Sequence, residues 1–416
     1  MVRILAVWTL AGLYGAAALF SRLARRAPRP WQPSGCILVI GTFHNPNWFH
    51  SHIRPLARSG VGEVILVCDE PVEPMPGVRF ACPPRWLARV ATRAGAKLAW
   101  SLVCAVRYRP DLYMGYHIFP CALIALVVAR LAGRPACYQD TSGPLELEGG
   151  GWNAENALLT ALQRPSALVE RRVNAVVREF DSVVVRGSGA EAYVRGTGYA
   201  GSIAVITGSV EPAGDWQDHG ERSIDLAFVG RLTEYKKPER FIAVVAAVAK
   251  IVPRLRAVVV GEGPDATALK ALARELGMES NVEFLGKRTD VDQLLAASRV
   301  FVLTSRWEGL SIAMLEAMCA GTVPVVANVG DLADFIDNGA NGFIVAQDDI
   351  GAYAGAAVRL LRDADFWRRC SRSALERALE ASGTDAIARR WQRHLALVVA
   401  KARTPSERTT RAVRRA

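Results

Sequence analysis

Short β-branched runs alternate with longer stretches of helical period along residues 36–208, and the same alternation restarts after residue 222. In the first series "CILVIG" (36–41), "GEVILVCDE" (62–70), "PDLYMGYH" (110–117), "RPACYQD" (134–140), "FDSVVVRG" (180–187) and "SIAVITG" (202–208) read as strands. "SHIRPLARSG" (51–60) and "IFPCALIALVVARLAG" (118–133) read as helices between them, the second too short and too charged, with Arg130, to be a membrane span. The second series runs "IDLAFVGR" (224–231), helix 238–252, "LRAVVVGEG" (255–263), helix 265–277, "NVEFLG" (281–286), helix 290–298, "RVFVLTS" (299–305), a helix opening near Ser311, and "TVPVVAN" (322–328). Strand–helix–strand repeats imply right-handed crossovers and parallel sheets, so the pattern predicts two doubly wound α/β domains of similar size. The aperiodic, polar segment 209–222 separates them as a linker, and arginine-rich helices at 365–400 close the fold. Two such domains are expected to face one another across a cleft, where ligands bind outside the carboxyl ends of the strands.

Residues 4–21 carry no charge. As a helix they are about 27 Å long, just short of a hydrocarbon core. The basic cluster "SRLARRAPRP" that follows predicts a cytoplasmic flank, so residues 1–30 read as an N-terminal membrane anchor with the body at the cytoplasmic face of the membrane. Gly12 and Gly15 also leave open a helix lying on the surface. A cleaved signal peptide fits less well, because the charges follow the apolar stretch instead of preceding it.

The net charge of +11 resides at the ends: residues 1–30 and 401–416 each contribute +5. That distribution suits an acidic membrane surface, and no nucleic acid is expected as a partner. The tail 401–416 reads as disordered. Eight cysteines without a Cys-x-x-Cys pair point to buried thiols in a reducing compartment. The three histidines of "HNPNWFHSH" (44–52) read as part of a polar loop, and no metal site is expected.

Candidate chemistry concentrates in "SRWEGLSIAMLEAMCAG" (305–321). Glu308 falls between a strand end and a helix N-terminus, where the backbone N–H groups of Gly309, Leu310 and Ser311 favour an anion. Glu316 sits one turn into an otherwise apolar helix, where a carboxylate can accept two sugar hydroxyls. In "GRLTEYKK" (230–237), Gly230 ends a strand and Arg231 and Lys236 supply a guanidinium and an ammonium, a pairing suited to a diphosphate. "VVVGEGPDATALK" (258–270) departs from the dinucleotide spacing, and no phosphate-binding loop with a Gly-Lys-Ser/Thr end is present.

Taken with "GEGP", "FLG" and "AMCAGTVPVVA", these motifs resemble the retaining glycosyltransferases of family 4, which have the GT-B fold; the resemblance covers nearly all of 223–350. It implies a hexosyltransferase that moves a sugar from a nucleoside-diphosphate sugar to a glycan or lipid-linked saccharide, with no cofactor beyond that donor. Residues 31–208 would be the acceptor domain, 223–380 the donor domain, and 381–400 a helix returning to the first domain. Arg231 and Lys236 would hold the diphosphate, Glu316 the ribose, Glu308 the transferred sugar, and Gly309 to Ser311 the phosphate or sugar. His117 matches a histidine such enzymes place beside the reaction centre, and Gly41 opens a loop near the phosphates. Asp334 stands where the family often has glutamate. The rival readings are a GT-B-like sugar-nucleotide epimerase and a non-catalytic, membrane-bound polysaccharide assembly factor.

Overall fold

The computed structural model describes residues 1–25, 35–43, 45–154, 156–212 and 222–403, so residues 26–30 of the basic flank, most of the expected linker, and the tail beyond 403 lie outside the described residues. The chain forms two units, Met1–Ser209 with Ile387–Ala416, and Val210–Ala386.

Unit 1 runs α1 (Val2–Leu23), β1 (Cys36–Ile40), α2 (Pro46–Ala57), β2 (Glu63–Val67), β3 (Val78–Phe80), α3 (Arg85–Tyr108), β4 (Leu112–Tyr116), α4 (Leu123–Ala132), β5 (Ala136–Gln139), α5 (Ala157–Thr160), α6 (Ala167–Val177), β6 (Ser182–Val185), α7 (Ser188–Gly196) and β7 (Ser202–Val205). Its seven parallel strands lie in the order β3-β2-β1-β4-β5-β6-β7, with Leu38 opposite Ile65 on one side and Tyr113 on the other. Helices cover both faces, which is why the strands are almost wholly apolar. Leu38, Ile65, Tyr113 and Val183 pack with α1, α3, α4 and α6. Ile37, Val64, Leu112 and Met114 pack beneath α2 and the C-terminal helix.

One expectation changes here. The expected polar loop around His50 and His52 is helical: Pro46 opens α2, and the Asn45 side chain accepts the Asn47 N–H at 2.9 Å, satisfying a donor the first turn leaves unpaired. His50 pairs with Glu73 at 2.8 Å, His52 is buried with Nδ1 on the Trp48 carbonyl at 3.0 Å, and His44 lies outside the described residues. Helix α1 has the length and composition to cross a membrane. One of its faces nonetheless packs on α4 and α6, burying Leu10 and Tyr14 completely. Polar contacts fasten both ends: Arg3 donates to the Leu162 carbonyl at 3.0 Å, Arg22 pairs with Glu179 at 2.7 Å, and Ser21 accepts from the buried Arg130 at 2.9 Å.

Unit 2 runs β8 (Ile224–Val229), α8 (Pro238–Ala249), β9 (Ala257–Val260), α9 (Ala266–Glu275), β10 (Val282–Gly286), α10 (Val291–Ala296), β11 (Ser298–Leu303), α11 (Ile312–Cys319), β12 (Val323–Ala327), β13 (Phe343–Val345), α12 (Ile350–Arg362) and α13 (Ala364–Ser382). Its six parallel strands are ordered β10-β9-β8-β11-β12-β13. The last helix, α14 (Thr384–Arg403), belongs to unit 1 from Ile387 onward, where Ile387, Trp391, Leu395 and Val398 complete the core under α2. His394 Nε2 lies 2.5 Å from Ser182 Oγ in β6, anchoring that return.

Candidate active site

In each sheet the order reverses once, between β1 and β4 in unit 1 and between β8 and β11 in unit 2, and loops leaving the carboxyl ends of such a pair diverge to open a crevice. The candidate residues fall on these four loops, except Glu316, which lies in α11.

In unit 2 the loop after β8 carries Gly230, Arg231 and Lys236, and the loop after β11 carries Glu308 to Ser311. Lys236 Nζ lies 2.5 Å from Glu308 Oε1, and the Ser305 hydroxyl donates to the same oxygen at 2.6 Å. Both side chains of the pair are largely buried, 15% and 8% exposed, so this ion pair is shielded from the screening that weakens surface pairs. Tyr235 carries the cations: the Arg231 guanidinium stands 5.2 Å from its ring centre and Lys236 Nζ 5.9 Å, while its carbonyl accepts the Arg306 N–H at 2.7 Å and ties the two loops together.

Ser311 caps α11, its hydroxyl accepting the Met314 N–H at 3.3 Å, so the helix begins where the sequence places it. Two close backbone approaches hold these loops. A Cβ on Gly261, at φ +137°, would lie 1.9 Å from the Gly230 carbonyl oxygen, and one on Gly330, at φ +56°, would lie 2.1 Å from the Glu308 oxygen. The Gly in "GEGP" is therefore a packing requirement beneath Arg231, and the Gly in "VGD" one beneath Glu308.

Glu316 lies on the side of α11 that carries the partly exposed Ile312 and Ala313, while Met314, Leu315, Ala317 and Met318 are buried. Burial, and secondarily the charge of Asp292, pushes its carboxyl up to about 7. In the unfolded chain this group titrates near its ordinary value. Stability is therefore lost as pH rises from the unfolded value through about 7, because the folded protein must then ionise a buried carboxyl. Without donor, Glu316→Gln is expected to melt at higher temperature than the parent at about pH 8, by roughly 2 kcal/mol, and to lose that advantage near pH 4. Equal melting temperatures at both pH values would show that the carboxyl is well solvated.

In unit 1 Gly41 follows β1, its N–H donating to the Val67 carbonyl at 3.1 Å, and His117 follows β4. His117 has φ +59°, an uncommon conformation for a residue with a side chain, which turns the chain sharply out of the strand. Its Nδ1 lies 2.6 Å from Glu146 Oε1 and 2.9 Å from the Thr141 hydroxyl. Glu146 is buried; its second oxygen accepts from the Ile118 N–H at 2.9 Å and the Tyr138 hydroxyl at 2.8 Å. Burial pushes this carboxyl upward, but His117 and these two donors together outweigh it and hold the group below its ordinary range. Glu146 is thus a fixed anion that orients the His117 ring, a role the sequence reading misses: 29 residues separate the two, and nothing local distinguishes Glu146 from Glu148.

The candidates of unit 2 are gathered at one sheet edge, with Lys236 and Glu308 in direct contact; His117 and Gly41 occupy the equivalent edge of unit 1.

Residues 217–377 match the family described as glycosyl transferases group 1. N-acetyl-alpha-D-glucosaminyl L-malate synthase of Bacillus anthracis is 31% identical over 39% of this chain and 43% of its own length. UDP-Gal:alpha-D-GlcNAc-diphosphoundecaprenol alpha-1,3-galactosyltransferase of Escherichia coli is 27% identical over 59% of this chain and 65% of its own. This chain therefore spans less than two thirds of either relative. Anabaena HepE, solved with UDP, superposes with a TM-score of 0.68 at 18% identity, covering 88% of this chain and 99% of that one. Sucrose-phosphate synthase of Thermosynechococcus elongatus gives 0.70 at 19% identity over 88% and 100%. The match to glycosyl transferases group 1 thus lies within unit 2, and the fold of the chain is GT-B.

Proposed function

We propose that the chain is a retaining family 4 glycosyltransferase that moves a hexose from a nucleoside-diphosphate sugar to a glycan or lipid-linked saccharide at the cytoplasmic face of a membrane. The observation that carries this reading is the buried Lys236–Glu308 pair at the switch point of unit 2, with Arg231 on the same loop as Lys236 and the N-terminus of α11 just beyond Glu308. Departure of a nucleoside diphosphate places negative charge on the leaving phosphate and positive charge on the sugar. Arg231, Lys236 and the amides of Gly309 to Ser311 stabilise the first, and the preorganised carboxylate of Glu308 orients the sugar hydroxyls. This cationic clamp takes the place of a divalent ion, so transfer proceeds without added metal. Glu316 receives the ribose hydroxyls; in unit 1 the candidates are Gly41 and His117, with His117 held by Glu146. The UDP and UDP-glucose bound in HepE, and the diphosphoundecaprenol acceptor in the name of the E. coli relative, make UDP-sugars and lipid-linked acceptors the first substrates to screen.

The test is a panel of nucleotide sugars incubated with the full chain and a membrane extract, with chelator present. Donor-dependent glycosylation of a lipid-extractable product with the anomeric configuration of the donor supports the reading. Conversion of the donor without any acceptor would replace it with an epimerase, and no turnover of any donor would leave the non-catalytic alternative.

A further inference from the structure

Most of the large apolar side chains exposed on the described residues lie on helices of one side of the unit 1 sheet: Ile4, Leu5, Trp8 and Leu19 among those of α1, Leu102, Val103 and Val106 on α3, and Leu131 at the end of α4. All three helices contribute to the core cluster on that side, and both α1 and α3 pack against α4. None of the three contains an aspartate or glutamate. Around the apolar residues stand the exposed Arg22, Arg89, Arg93 and Arg107, with Arg171 and Arg172 on the adjoining α6. The first part of α3 also exposes Trp86 and Val90, set off by a kink at Thr92, whose φ is +62°.

An apolar helix face rimmed by arginines and carrying an exposed tryptophan is the pattern that settles into a headgroup layer. We infer that α1 and α3 together seat the chain in the plane of an anionic bilayer, with α1 lying along the membrane surface instead of crossing it. The polar ties of Arg3, Ser21 and Arg22 to the domain hold α1 against α4 and α6, and crossing the bilayer would require all three to break. Charge selects the occupant: a second copy would bring the same arginines against these, whereas anionic headgroups neutralise them. This inference rests on the membrane-associated reading above and adds to it a second helix and an orientation.

The full chain is mixed with phosphatidylglycerol or phosphatidylcholine vesicles and sedimented, alongside Leu102→Ser/Val103→Ser/Val106→Ser, Arg89→Ser/Arg93→Ser and, as a control elsewhere, Leu276→Ser. The parent and the control are expected to bind phosphatidylglycerol vesicles and to be released by salt, and each α3 variant to bind at least about tenfold more weakly. Melting temperature and UDP binding, measured on each variant, should match the parent. If the α3 variants sediment like the parent, α1 alone holds the membrane and the two-helix seat is wrong, although membrane association survives. If the parent ignores both kinds of vesicle, or runs as a dimer that the α3 variants convert to monomer, the inference and the membrane reading fall together, while UDP binding still reports on the donor site. Resistance of the vesicle-bound parent to salt and alkaline carbonate would indicate a crossing helix and overturn the orientation.

Discussion

Glu308→Gln is expected to lower kcat/KM for sugar transfer by at least about a hundredfold while donor binding changes much less. The substitution preserves the shape of the side chain and its capacity to accept from Ser305, but it removes the negative charge that now faces Lys236 at 2.5 Å. What is lost is the carboxylate that orients the sugar hydroxyls, and with it the anion facing the positive charge that develops as the leaving group departs. Steady-state kinetics with the screened donor, together with calorimetric titration of UDP, separate the two effects. Glu308→Ala should in addition melt at lower temperature, because a largely buried ammonium is left without its counter-ion, a loss on the order of 3 kcal/mol or more. Unchanged turnover in both variants would remove Glu308 from the reaction.

The partner residue should fail differently. Lys236→Met is expected to weaken UDP binding at least about tenfold and to lower turnover by roughly a hundredfold or more, since it removes a cation from the diphosphate in both ground and transition states. Lys236→Arg should restore only part of this, because a forked guanidinium cannot occupy the confined position of a point charge seated over Tyr235. The double variant Lys236→Met/Glu308→Gln should be little worse than the more damaged single variant, as expected of two groups acting as a unit. Strict multiplication of the two losses would mean that the pair seen here does not operate during catalysis.

Unit 2 was legible because its chemistry is local. Strand, glycine, Arg231 and Lys236 lie within one loop, and Glu308, Ser311 and Glu316 within one loop and its helix, so alternation and capping place each on the correct edge of the sheet. Adjacency of β8 and β11 then joins the loops, a step supplied by the general topology of doubly wound sheets. Unit 1 was less legible. The His117–Glu146 pair depends on tertiary packing of a segment with positive-φ glycines 149–151, which gives no periodic signal. Helix α3 gives no clear helical pattern, since arginines are interleaved with apolar residues along its length and Thr92 interrupts the period. For α1, composition suggests a membrane span; Ser21, a buried hydroxyl that accepts from Arg130, marks the face that belongs to the domain.

The route of the chain also dictates an order of assembly. Unit 2 is one uninterrupted segment, Val210–Ala386, whereas unit 1 stays unfinished until Ile387, Trp391, Leu395 and Val398 arrive to cover α2. During synthesis the later-made half can therefore reach its native state first, and the earlier-made half waits on the ribosome with a strip of its sheet layer uncovered until the last helix emerges.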